Sequence, residues 1–85
     1  MPRASVPQIA IDGVPIVPGA TWPKRPLEDV DFVFEARCVR TYPHEFVGVV
    51  YLAEDDTPLG ETAPTRDFKE VARLANAAVG QVTVA

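Results

Sequence analysis

The chain predicts an α+β domain: a small antiparallel three-stranded meander, with a further C-terminal strand possible, packed on one C-terminal helix. Three observations carry this. Residues 30–40 alternate apolar and polar side chains, residues 46–53 form a second β-branched and aromatic run after a turn, and residues 66–79 change to a period of about 3.6. With 85 residues, 47% of them hydrophobic, the chain has material for one core and not for two.

In chain order, residues 1–29 read as a Pro-rich N-terminal arm or short ribbon and residues 30–85 as a β-β-β-α core domain. Pro2, Pro7, Pro15, Pro18, Pro23 and Pro26 each fix φ and remove a backbone donor, which excludes a helix there. Ile9-Ala10-Ile11 and Val14-Pro15-Ile16 flank Asp12-Gly13, the short-range signal for a tight hairpin. An extended arm lying unpaired over the main sheet competes with that ribbon.

Val30, Phe32, Phe34, Ala36 and Cys38 share one face of the first long strand, and Asp31, Val33, Glu35, Arg37 and Val39 share the other. Thr41 to Glu45 carries turn chemistry, so Phe46 to Ala53 returns as the antiparallel partner. Glu54-Asp55-Asp56-Thr57 is a second polar turn, and Pro58 to Thr62 makes a short third strand, placed at an edge because it begins with proline. Phe68, Val71, Ala72, Ala75 and Val79 form one apolar stripe of a helix from Arg66 to Val79, with Thr65 as N-cap, Asp67 in the first turn and Gly80 as terminator. Gln81 to Ala85 is β-branched enough for a final strand, with a frayed tail as its competitor.

The middle strand is apolar on both faces, Phe46, Val50 and Leu52 on one and Val47, Val49 and Tyr51 on the other. One helix covers only one face of such a sheet, so the second needs the N-terminal arm, another molecule, or solvent. A four-residue turn from Tyr42 to Glu45 pairs Arg40 with Val47 and sets Val47, Val49 and Tyr51 on the Phe32 face. That register leaves Val33, Val39, Phe46, Val50 and Leu52, with Trp22 from the arm, as the candidate interaction residues.

The formal net charge of −4 repels phosphate, which argues against direct nucleic-acid binding and against an anionic membrane surface. Met1 to Ser5 runs into prolines, no run approaches a membrane span, and the single Cys38 asks for no oxidising compartment; a cytoplasmic location is expected. Cys38 and His44, the lone thiol and imidazole, fall about 10 Å apart along the hairpin, too far for a nucleophile and base. Glu54, Asp55, Asp56 and Glu61 match no cation-binding loop. Lys24 and Arg25 beside Trp22 are too few for a phosphate track, and Arg66, Lys69 and Arg73 are interleaved with Asp67 and Glu70 as on a solvated helix face. No catalytic, cofactor-binding or metal-binding residue is therefore assigned, and no cofactor is expected.

Strands followed by a helix also occur in double-stranded-RNA-binding and integrase arm-type domains. The helix start Thr65-Arg66-Asp67-Phe68 lacks a Lys-rich clamp and the sheet lacks a basic face, so neither family is inferred. What the residues favour is a non-enzymatic interaction or accessory module, self-associating as a homodimer or meeting a protein partner through an apolar sheet face. The alternatives are a small-molecule binder, of unknown ligand, with a pocket between sheet and arm around Trp22, Tyr42 and Tyr51, and an acidic inhibitor of a nucleic-acid-binding protein.

Overall fold

The computed structural model describes residues 9–83, with side chains through Gln81. The segment Met1–Ser5, used above against a signal peptide, and Val84 and Ala85 of the possible last strand lie outside the described residues. The fold is α+β: a two-stranded ribbon, a four-stranded antiparallel sheet and one C-terminal helix.

Strands β1 (Ala10–Ile11) and β2 (Val14–Pro15) pair around Asp12 and Gly13, whose φ angles are 50° and 80°. Both residues lie in the left-handed region that a two-residue hairpin turn demands, and Asp-Gly tolerates it well. Of the two arrangements open for this segment, paired ribbon and unpaired arm, the ribbon forms, closed by a 2.9 Å bond from the Ile16 N–H to the Ile9 carbonyl.

The sheet has the order β3 (Arg25–Pro26), β4 (Phe32–Thr41), β5 (His44–Leu52), β6 (Pro58–Glu61). Strand β3 is an addition to the expected meander. The chain from Gly19 to Leu27 follows the outer edge of β4, with Gly19 N–H to the Cys38 carbonyl at 2.9 Å, Trp22 N–H to Ala36 at 3.0 Å and Leu27 N–H to Phe32 at 3.1 Å. Its prolines fit because an edge strand needs only half of its donors. Between the Trp22–Ala36 bond and the Arg25–Phe34 pair, Pro23 and Lys24 stand opposite Glu35 alone, a bulge that sends neighbouring side chains to different faces.

The register of β4 with β5 reverses the assignment expected for a four-residue turn. Thr41 pairs with His44 across Tyr42-Pro43, Arg40 pairs with Glu45 rather than Val47, and a bulge at Val39 brings Cys38 opposite Phe46. One extra residue flips every later side chain. Phe34 therefore faces Val50 and Phe32 faces Leu52, so Phe46, Val50 and Leu52 turn toward the helix and Val47, Val49 and Tyr51 away from it. Gly48 explains why this register packs better: it lies opposite Ala36 beneath the helix, where an ideal Cβ would come within 2.9 Å of Val71 Cγ1.

Helix α1 (Phe68–Thr83) starts later and runs further than its pattern suggested. Asp67 is the N-cap, its carboxylate accepting from the Lys69 N–H at 3.0 Å, while Thr65 accepts from the Asp67 N–H at 3.2 Å and pairs its backbone with Phe46. Gly80 continues the helix and Gln81 to Thr83 are helical, not a strand. Its exposed side carries the Glu70–Arg73 ion pair.

The core between sheet and helix is led by Trp22, Phe32, Phe34, Cys38, Phe46 and Val71, with Leu27 joining from the β3 edge. Trp22 is 2% exposed, and its ring contacts those of Phe46 and Phe68 at centroid distances of 5.8 and 4.8 Å. Ile11, Val14 and Ile16 of the ribbon pack against this same core. Among the described residues the ribbon packs on the helix side of the sheet, and the β3 edge sends Lys24 to the opposite face, over Tyr51.

Candidate functional site

The face of the sheet away from the helix, uncovered among the described residues, is built by alternate residues of three strands. Register places Val33, Glu35 and Arg37 of β4 beside Tyr51, Val49 and Val47 of β5, and Glu61 of β6 beyond Val49. Although they point away from the helix, Val47 and Val49 are only 4% and 6% exposed. Their cross-strand neighbours are long: Arg37 stands across from Val47, and Val49 lies between Glu35 and Glu61, side chains whose methylene stems are able to shield a valine.

Those heads form one connected arrangement. Arg37 donates from Nη2 to Glu35 Oε1 at 2.9 Å, and the Tyr51 hydroxyl reaches the same oxygen at 3.4 Å. Lys24, turned to this face by the β3 bulge, sets its Nζ 4.1 Å from the Tyr51 ring centre and 3.2 Å from Asp56. The hydrogen bond to Glu35 is the main reason that the Arg37 guanidinium is held above its ordinary pKa; burial opposes it, and the charges of Glu35, Tyr51 and Glu61 add to it. Arg37 Nε is buried with no acceptor.

A second feature lies on the helix side. A cleft of about 370 Å³ opens between the ribbon, the β3 edge and the first turns of α1, with Trp22, Phe34, Phe68 and Val71 among its walls and Asp12, Arg25 and Lys69 at its mouth.

The candidate interaction residues do not share one surface. Trp22, Phe46 and Val50 are core residues and Leu52 packs at the core's edge, because the bulge at Val39 turns that set toward the helix. Val33 is half-buried on the uncovered face, and Val39 is exposed at the bulge itself. Nor do the three aromatics of the alternative pocket meet: Trp22 lines the cleft, Tyr51 lies across the sheet, and Tyr42 is 88% exposed at the hairpin tip. Cys38 is buried with its thiol directed at the Arg40 carbonyl, 3.3 Å away, while His44 belongs to the turn pair with Thr41. Among the described residues no group of three or more His, Cys, Asp or Glu is arranged to hold a metal ion, and no helix is long and apolar enough to cross a membrane.

Glu35, Arg37, Tyr51 and Lys24 carry the uncovered face; the sequence set Lys24 beside Trp22 and Tyr51 in a pocket with Trp22 and Tyr42, and did not bring the four together. The available signal was the alternation of Glu35 and Arg37 on the side of β4 opposite Phe34 and Ala36. Comparison with protein-family models, with curated proteins and with solved structures gave no match.

Proposed function

We propose that the protein is a non-enzymatic interaction module that pairs with a second copy of itself through the uncovered face of its sheet. The observation that supports this is the preorganised group Tyr51–Glu35–Arg37 on the strand surface, with the Arg37 side chain 38% exposed. A guanidinium held in place by Glu35 and still partly exposed is ready to take a carboxylate from a facing molecule.

A second copy is the occupant that the charges fit. Lys24 and Arg37 share the face with Glu35 and Glu61, a mixture of signs that allows a two-fold rotation to set cations against carboxylates. Tyr and Arg are also the residue types that contribute most at interface centres. Pairing suits a chain of 85 residues, whose lone core sits near the lower limit for independent stability. The free buried thiol of Cys38 is compatible with a reducing, cytoplasmic setting.

Light scattering coupled to size-exclusion chromatography tests the proposal. The wild-type chain is expected at twice the mass of 9.2 kDa, and Arg37→Ala at the monomer mass, still folded but with a lower thermal midpoint because the partner no longer stabilises it. A monomeric wild type, or a variant that stays dimeric, would remove the proposal.

A further inference from the structure

We propose that the cleft between ribbon, β3 edge and helix binds a small aromatic or branched aliphatic molecule carrying one carboxylate. The inference rests on the other side of the sheet from the self-association surface and is independent of it.

The space arises from identifiable residues. Ala72 on α1 is short and lines it beside the half-buried Phe68 and Ile11, while the buried Trp22, Phe34 and Ala36 close its floor. At the β3 edge the cleft is bordered by Pro23 and Arg25, on either side of Lys24, which the bulge turns to the opposite face. On the remaining side the ribbon is tied down by the indole: Trp22 Nε1–H donates to the Ile11 carbonyl at 2.8 Å. With that donor satisfied and the ring only 2% exposed, the indole closes the floor of the cleft, and the half-buried Phe68, Ile11 and Ala72 give it its accessible apolar wall. At about 370 Å³ the cleft lies within the range of small-molecule sites, which are apolar inside with a few polar groups that fix orientation.

The polar groups stand at the mouth, where the cations Arg25 and Lys69 outnumber the single carboxylate of Asp12. Arg25 bonds Asp12 at 3.1 Å, but both side chains are more than half exposed, and an ion pair in solvent contributes little. Arg25 is therefore able to turn its fork to an incoming carboxylate, a geometry that guanidinium matches well. In a protein with net charge −4, this local excess of positive charge selects an anionic end group at an apolar opening.

Phenylbutyrate and phenylbutanol are the probes, followed by two-dimensional NMR of the full chain. The carboxylate is expected to shift the Trp22 indole N–H and the Ile11, Phe68 and Ala72 amides, and to bind about tenfold more tightly than the alcohol. Arg25→Gln, at an exposed position, is expected to keep the spectrum of the folded protein and to abolish that preference. Ala72→Leu is expected to fill the space and weaken both probes equally. Shifts confined to the uncovered sheet face, no shift at millimolar probe, or an unchanged preference in Arg25→Gln would each overturn the proposal.

Discussion

Gly48 of β5 lies directly beneath Val71 of the helix, so close that any Cβ at position 48 would sit 2.9 Å from Val71 Cγ1 and 3.4 Å from Thr62 Cγ2. The contact fixes helix-to-sheet distance at its tightest point, with Thr62 anchored there by its hydroxyl, which accepts from the Gly48 N–H at 2.9 Å. Gly48→Ala is expected to destabilise the fold by about 1–3 kcal/mol, the usual range for overpacking. Val71→Ala opens space at the same spot, so the double variant is expected to lose less than the sum of the two single losses. Chemical denaturation of all four proteins reads the coupling, and strict additivity would show that the two positions do not press on each other.

Trp22 joins three parts of the molecule through ring contacts to Phe46 and Phe68 and through its bond to Ile11. Trp22→Phe keeps an aromatic ring and leaves the Ile11 carbonyl without its partner. The expected cost is about 1–3 kcal/mol, with hydrogen-exchange protection lost first at Ile16, whose amide closes the ribbon. Uniform loss of protection across sheet and ribbon would show that the bond has no local role.

Asp67 caps the helix through Lys69, whereas Thr65 supports the approach to it. Asp67→Ala is expected to cost about 1 kcal/mol and Asp67→Asn much less, because the amide oxygen still accepts. Equal losses for the two variants in thermal denaturation would assign the effect to charge at the helix start instead.

Asp55 is held below the usual carboxylate range first by the Thr57 hydroxyl, which donates to it at 2.7 Å, and then by the Thr57 N–H. A depressed carboxylate stabilises the turn above its unfolded pKa, and that contribution is lost as pH falls through the folded value, below about pH 4. NMR titration is expected to place Asp55 below an ordinary Asp, and Thr57→Val to raise it. No movement in Thr57→Val would transfer the effect to the backbone donor.

Much of the fold was legible because period and turn chemistry agreed at several places. Phe32 to Cys38 alternated cleanly, Asp12-Gly13 marked its hairpin, and Phe68 to Val79 kept its stripe. The register was not legible, since a bulge at Val39 costs one residue and leaves no compositional mark, yet it exchanges the two apolar sets of β5. Gly48 was the overlooked clue: in a strand apolar on both faces, the face containing glycine is the one a helix can approach. Prolines hid the edge segment from Gly19 to Leu27, because Pro23 and Pro26 argue against an interior strand while permitting an edge. Gly80 suggested a helix end that the backbone does not make, as glycine permits a left-handed stop without requiring one. The uncovered face needed that register before Tyr51 could be set beside Glu35 and Arg37.

The most direct measurement of the central claim is the concentration dependence of backbone amide shifts across the whole chain. Self-association through the uncovered face predicts movement at Val33, Glu35, Arg37, Val47, Val49 and Tyr51, with helix residues Val71 to Val79 unmoved. Movement concentrated on the helix or on the β6 edge, or spectra identical from dilute to concentrated protein, would contradict it.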